Sequence, residues 1–548
     1  MIAVSGGFRT TVGGVRISAR SPWPSAALTG LVLAGWYLAA RREQATSTDL
    51  EQAWRVCQRH TAIIGGIAAL STMMVMAMAT HSAAGADASG YISESDLLMR
   101  GRLFHRDELS DVARGHDPYI TSPLGWRPAT DGLQAPTYPP GLPLLMALPQ
   151  AMGGATGASL VVVLCGAIAI VATGALAVQL SGSIAGIIAA VLIGFAPVFV
   201  YQAIQPMSDV PVTAAWLTCF ALLARRRGSL DVAAGIACAT AVLIRPNLAP
   251  LAVVPLLLAQ RRVLFAAPVA IAGAGLALLQ WTWYGSPFRS GYGSAEELFA
   301  LSNIGANASR YFAWLIASSP VLLLAALGVV RRHSDRLVRA LAAIVALVVA
   351  AYLVYAVFDD WSYLRFLLPA LAVLAVLAGA ELAAWIERWP TAVRPVLLSV
   401  ILLGVTAHAL MVARSNGVFR LADQLRRVER VADLINEDVP PAAVLVAGEQ
   451  SGSMRYYTER PILRWEAAAP ASLAEVTAAL EAARRPVYIV LDQWEESLFR
   501  ARFAGVPAGA LDWPPILDAG TSHRTRLWKL SDRERFLAGE RLSTIRLR

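Results

Sequence analysis

Long apolar runs broken by short polar, arginine-rich connectors dominate the pattern of this chain. Runs close to the roughly 17 to 25 residues that cross a hydrocarbon core predict membrane helices at about 61–80, 156–179, 184–204, 208–225, 229–244, 247–260, 263–283, 311–330, 338–357, 364–386 and 395–413. A further candidate lies at 24–40. Two stretches depart from this pattern. The first, His81 to Tyr138, is polar and rich in Asp, Arg and Gly; loops longer than about 12 to 15 residues without regular structure are usually functional or disordered. The second runs from about residue 415 to the end. There, helix-period segments at 421–435 and 473–483 alternate with apolar strand-like runs at 443–447 and 487–491, and 525–530 reads as an edge strand. Such alternation predicts a small α/β domain.

Composition agrees with the pattern. Hydrophobic residues make up 56% of the chain and charged residues 16%, with a mean hydropathy of +0.53. Soluble domains are about 45 to 50% apolar and 25% charged, so the expected class is a polytopic α-helical membrane protein. The net charge of +9 does not point to nucleic acid, because much of the surplus sits in Arg225-Arg226-Arg227, Arg261-Arg262, Arg331-Arg332 with Arg336, and Arg388 with Arg394. Basic residues in short loops are retained on the cytoplasmic side. That rule puts 205–208, 245–247, 284–310, 358–363 and everything after Arg414 outside, including the C-terminal domain.

The His81–Tyr138 loop is also outside, provided the proline-rich segment from Tyr138 to Met152 is re-entrant or interfacial rather than spanning. Non-helical backbone at that depth must be buried in protein or line a cavity. A crossing at 24–40 would place Arg9, Arg16 and Arg20 outside, against the charge rule, so an interfacial segment and an added span both stay open. Cys57, Cys165, Cys219 and Cys238 lie in or before spans with no CxxC pair, and no external disulfide framework is expected. The histidines show no HExxH spacing for zinc. Asn307-Ala308-Ser309 fits a glycosylation pattern that occurs often by chance.

Four short motifs follow one another on the predicted external side: Asp87-Ala88-Ser89-Gly90-Tyr91, Tyr138-Pro139-Pro140-Gly141, Pro206-Met207-Ser208-Asp209 and Arg365-Phe366-Leu367-Leu368-Pro369. In that order they resemble the GT-C superfamily of integral membrane glycosyltransferases, in the broad group with protein O-mannosyltransferases and the lipid A aminoarabinose transferase. The resemblance covers roughly residues 61 to 414. It implies a GT-C-like membrane domain over 61–414, loop 81–138 included, after an N-terminal region at 1–60 and before an extracytoplasmic α/β domain at 415–548. The implied activity is probable inversion at the sugar carbon during transfer from a polyprenyl-phosphate donor to a glycan, lipid or protein acceptor on the non-cytoplasmic face. The implied setting is a lipid bilayer, that of a bacterial inner membrane. Many relatives carry a second acidic residue where this chain has Ala88; Glu94 or Asp96 could compensate from the following turns.

Within that resemblance the residue types have a chemical logic. A carboxylate within hydrogen-bond reach can take the acceptor proton, and Asp87 is the candidate, with helix N-capping as the alternative. Asp209 could position the acceptor, bind a divalent cation or merely cap. The leaving lipid phosphate calls for guanidinium groups. Arg245, between Ile244 and Pro246, and Arg365, after Asp359-Asp360-Trp361, are the candidates, against a snorkelling alternative. Tyr91, Glu94, Tyr138 and Arg289 complete the candidate substrate contacts. Glu449, Ser451, Arg455, Tyr456 and Tyr457 follow the first predicted strand of the tail, where open α/β sheets commonly bind ligands. A transporter or flippase of lipid-linked saccharides would also use intramembrane arginines, but no inverted internal repeat is visible. A non-catalytic glycan-binding membrane protein is the third class.

Overall fold

The computed structural model describes residues 8–12, 15–19, 60–293, 298–520 and 524–547. The candidate span at 24–40 and Cys57 lie outside these residues. In chain order, the antiparallel strands β1 (Phe8–Val12) and β2 (Val15–Ala19) precede helices α1 (His60–Met78) and α2 (Ala86–Met99). The short strands β3 (His105–Arg106), β4 (Trp126–Pro128) and β5 (Leu133–Pro136) form a small sheet. Then come α3 (Gly141–Gly194), α4 (Asp209–Ala224), α5 (Arg262–Tyr284), α6 (Arg336–Leu353), α7 (Leu368–Ile386) and α8 (Arg394–Ser415), with shorter helices between them. By its contacts the chain divides into two units, one of Met1–Ala79, Leu160–Gly275 and Ser294–Arg420, the other of Thr80–Ser159, Leu276–Gly293 and Leu421–Arg548.

The first unit is a bundle of apolar helices. Buried Ile64, Ala68, Ser71 and Val75 form a stripe along α1 at helical spacing, and the Ser71 hydroxyl donates to the Gly194 carbonyl at 2.7 Å. Side chains of α7 are buried almost all round, so this helix sits inside the bundle. On α6, Val338, Leu341, Ile344, Val348 and Tyr352 form the buried face, and the Asp335 carboxylate caps its start by accepting from the Leu337 amide at 2.7 Å.

Among the described residues, six helices are long and apolar enough to cross a membrane, or seven if the bent pair Leu301–Ser318 and Pro320–Arg331 counts as one span. Four expected spans therefore change. The segments at 208–225, 229–244 and 247–260 are shorter apolar helices, and 311–330 is broken by a 110° bend. Proline accounts for two of the breaks: Pro246 and Pro320, which lack an N–H and restrict the residue before them, each start a new helical piece. The segment expected to be non-helical before Met152 is helical from Gly141 onward. At about 1.5 Å per residue, the 54 residues of α3 exceed any bilayer core, and Gly154 (φ 58°) and Gly182 (φ 82°) interrupt its right-handed path.

In the second unit the tail supplies a six-stranded sheet, built from β6 (Val444–Ala447), β7 (Ile462–Arg464), β8 (Val487–Asp492), β9 (Leu517–Ala519), β10 (Thr525–Lys529) and β11 (Ile545–Leu547) in the order β11-β9-β10-β8-β6-β7. Strands β7, β6 and β8 are parallel, and β10 runs antiparallel to β8. The expected edge strand at 525–530 is thus interior, since β9 and β11 extend the sheet beyond it. Successive residues of a strand face opposite sides, and the two cores follow that rule. Val444 and Val446 join Leu473, Val476 and Leu480 of the helix Pro470–Ala482. Leu445 and Ala447 join Val428, Val431 and Ile435 of α9 (Leu421–Asp438). Residues of the polar loop enter both: Leu109, Ala113 and Ile120 the first core, Ala84 the second.

Candidate functional site

Among the predicted site residues, Asp209, Arg245 and Arg365 gather in the first unit. Asp209 opens α4, where a negative charge meets the positive end of the helix dipole. It is fully buried. Its Oδ1 accepts from Arg245 Nη2 at 2.6 Å, while Arg245 Nη1 donates to the Tyr352 hydroxyl at 3.2 Å. Arg245 Nε and Nη2 also lie 3.4 Å from Ser208 Oγ. A chain break positions this arginine: its backbone leaves the helix Asp231–Ile244 at φ −138°, ψ 85°, just before Pro246. The other oxygen of Asp209 is buried without a hydrogen-bond partner among the described residues.

Aromatic rings surround the pair. Tyr352 stacks on Phe366 at 5.0 Å with an interplanar angle of 4°. The Arg245 guanidinium lies 5.8 Å from the Phe366 ring, and that of Arg365 lies 5.3 Å from the same ring and 5.2 Å from Tyr363. Two cations thus share one aromatic face, an arrangement that favours keeping them charged in partly dry surroundings. Asn247 donates to the Tyr352 hydroxyl at 3.2 Å. Asn307, of the glycosylation-like pattern, is buried and donates to the carbonyls of Tyr352, Leu353 and Tyr355, so its amide is spent on holding the end of α6.

Asp87, Tyr91, Glu94 and Tyr138 gather in the second unit. Asp87 lies in the first turn of α2, and the N-cap position belongs to Gly85 at φ 80°. The residues 87, 91 and 94 follow one face of the helix. Tyr91 packs against Tyr138 at 4.7 Å between ring centres, and Tyr138 meets Tyr292 edge-on at 5.7 Å. Tyr292 belongs to the same loop as Arg289, which is exposed. That loop approaches closely at Gly291, where a Cβ would lie 2.0 Å from the Thr137 carbonyl oxygen.

Glu94 is 1% exposed and both its carboxylate oxygens lack a hydrogen-bond partner among the described residues. Burial pushes its carboxyl well above the usual carboxylate range, because desolvation penalises the charged form. It is therefore a neutral acid rather than a second negative charge beside Asp87.

The tail residues after β6 hold the start of α2. The Ala83 amide donates to the Tyr457 hydroxyl at 2.6 Å, which donates in turn to Glu429 at 2.9 Å. The Gly85 amide donates to Ser453 Oγ at 3.1 Å, and the Leu124 amide to Ser451 Oγ at 3.0 Å. Arg455 faces Glu108 and His105; burial, aided by the neighbouring arginines, pushes the His105 imidazole down to about 4. Burial, with the charges of Glu466, Asp87 and Asp492 nearby, raises the Glu449 carboxyl. Glu495, buried between the ends of β6 and β8, accepts from the Glu449 and Asp492 amides and is raised by burial to about 7.

Sequence reasoning missed Ser453, Gln450, Tyr292, Tyr352 and Phe366. Only Phe366 lay within a quoted motif; the others carry no spacing signal. Among the described residues no group of three or more His, Cys, Asp or Glu side chains could hold a metal ion. A divalent cation at Asp87 would need oxygen ligands from substrate phosphate and water, as magnesium commonly takes.

No family model and no curated protein matches the chain. Solved structures do. ArnT from Cupriavidus metallidurans bound to undecaprenyl phosphate is 12% identical, with 86% of this chain and 97% of that chain covered and a TM-score of 0.52. Its apo structure gives 14% identity, the same coverage and the same TM-score of 0.52. The oligosaccharyltransferase AglB from Archaeoglobus fulgidus, in complex with an inhibitory peptide and a dolichol-phosphate, is 13% identical, with 83% and 71% covered and a TM-score of 0.53. Both relatives are GT-C glycosyltransferases. At these identities the likeness is one of fold, and the fold of this integral membrane protein is that of the GT-C superfamily.

Proposed function

We propose that the protein is a membrane glycosyltransferase of the GT-C type, moving a sugar from a polyprenyl-phosphate donor to an acceptor on the extracytoplasmic face. The observation that carries this reading is a GT-C fold in which Asp87 stands in the first turn of α2 beside a run of three tyrosines. ArnT and AglB were solved with undecaprenyl phosphate and dolichol-phosphate, and a lipid phosphate of that kind is the leaving group in this scheme.

An acceptor hydroxyl attacks the anomeric carbon while the bond from that carbon to the phosphate oxygen breaks. Asp87 takes the hydroxyl proton, and the polyprenyl phosphate leaves with its electron pair. Attack opposite the leaving group inverts the anomeric centre. Arg365 and Arg245 serve the phosphate; Arg245 already spends one nitrogen on Asp209, so Arg365 carries the larger share. Glu94, being neutral, offers a hydrogen bond rather than charge, and Tyr91 and Tyr138 offer aromatic faces to a sugar ring. Arg289 contributes from an exposed loop. The membrane is a bacterial inner membrane, with residues 415–548 outside.

The test is transfer from a labelled polyprenyl-phosphate sugar by the purified full chain. Asp87→Asn should insert normally and lose about 100- to 10,000-fold in turnover, the range of general-base catalysis. Unchanged turnover would remove Asp87 from the chemistry. Movement of intact donor lipid across the bilayer without transfer would favour the flippase reading instead.

A further inference from the structure

A groove of about 370 Å³ opens on the first unit, lined by Ala167, Ile168, Val171 and Ala172 of α3 and by Thr218, Ala221, Leu222 and Arg225 at the end of α4. Its walls are apolar apart from Thr218 and Arg225. Ile168 and Val171 are 49% and 44% exposed, on helices that meet the bilayer in this fold. The groove lies at the end of α4 opposite Asp209; a helix of 16 residues rises about 24 Å. It is therefore separate from the Asp209 cluster.

Arginines from two connectors meet beside its mouth. Arg225, Arg226 and Arg227 are all exposed. Gln260 Nε2 donates to the Arg226 carbonyl at 2.6 Å, and the side chain of Arg261 lies against Gly228, 3.2 Å from the position of an added Cβ. The nearby acid, Asp231, is 2% exposed and its carboxylate accepts the Arg261 amide at 2.6 Å, so it is turned inward. An apolar trough ending in exposed guanidinium groups matches one membrane component: a lipid with a hydrocarbon chain and an anionic head.

We propose that this groove is a binding site for an anionic phospholipid, with one acyl chain along α3 and α4 and the phosphate on Arg225 and its neighbouring arginines. Such a lipid would bridge α3 and α4 where Gln179 already links them, donating to the Ala175 and Ala221 carbonyls. The occupant differs from the polyprenyl-phosphate donor in position and in role, since it need not leave during turnover.

Native mass spectrometry of the full chain, titrated with phosphatidylglycerol or with phosphatidylcholine of the same chains, tests the proposal. Wild type should retain phosphatidylglycerol in preference to phosphatidylcholine. Arg225→Gln should weaken phosphatidylglycerol about fivefold, as expected for one arginine near an anionic headgroup, and leave phosphatidylcholine unchanged. Ala221→Leu, which fills the groove and keeps every arginine, should remove the same adduct, and Ala167→Leu offers a second filling variant should the first fold poorly. Equal retention of the two lipids by wild type would overturn the proposal. So would full retention of phosphatidylglycerol by both filled variants.

Discussion

At the scale of single residues, the ion pair between Asp209 and Arg245 separates structure from chemistry. Asp209 is wholly buried and the Arg245 side chain is 11% exposed, so removing one partner strands the other in poor solvent. Breaking a buried pair costs about 3 to 5 kcal/mol. Asp209→Asn and Arg245→Ala should each lower thermal stability in detergent by that order, and the double variant should lose clearly less than their sum. Additive losses would show that the two side chains do not support each other in the folded protein. Both residues were legible separately, one as an acid at a helix start and the other as an arginine inside an apolar run. Nothing in the sequence joined them across 36 positions; that link needed the backbone turn at Arg245. Asp87 was legible too, yet its N-cap alternative required knowing that the helix starts one residue earlier, with Gly85 in the capping position.

At the scale of elements, α2 is fixed by close approaches that side chains would block. A Cβ on Gly90 would lie 2.1 Å from Tyr138 Cε2, and one on Gly125 would lie 2.8 Å from the Gly90 Cα. On the adjoining turn, a Cβ on Gly452 of α10 (Ser451–Thr458) would fall 2.5 Å from Ser89 Oγ. The helix therefore wedges between the 123–126 turn and the tail, and Tyr138 is pressed against its face. Gly90→Ala should displace the Tyr138 ring and destabilise the unit by about 1 to 3 kcal/mol, the usual range for overpacking. Thermal unfolding and tyrosine fluorescence read out both effects, and a variant unchanged in both would mean that the ring moves freely. The longer tail elements were legible because their apolar periods run for several residues. Strands β7, β9 and β11 have three residues each, too few for a period to show, and missing them turned an interior strand into an edge.

At the scale of the whole molecule, hydropathy divides the chain at about residue 415, whereas contacts assign residues 80–159 and 276–293 to the same unit as 421–548. Polarity along a sequence reports where water can reach, and it carries no record of which polar segments share a core. Leu109, Ala113 and Ile120, from a loop that reads as polar, lie in one core with Val446, Trp465, Leu473 and Phe499 of the tail. Full burial of a Leu or Ile contributes about 1.5 to 3 kcal/mol relative to exposure, so Leu109 and Ile120, at 1% and 0% exposed, tie the loop to the tail by several kcal/mol. A chain ending at Arg420 keeps every membrane helix and loses that partner. Hydrogen exchange on the full and shortened proteins in the same detergent should show the amides of Ala113 and Ile120 losing their protection in the shortened chain while α7 keeps its own. The Ala113 amide bonds the Leu109 carbonyl at 2.9 Å and the Ile120 amide the Asp117 carbonyl at 3.0 Å, local bonds that protect only while the side chains beneath them are packed. Equal protection in both proteins would mean that the loop folds without the tail. The tail would then be an appended domain, as the hydropathy pattern alone implies.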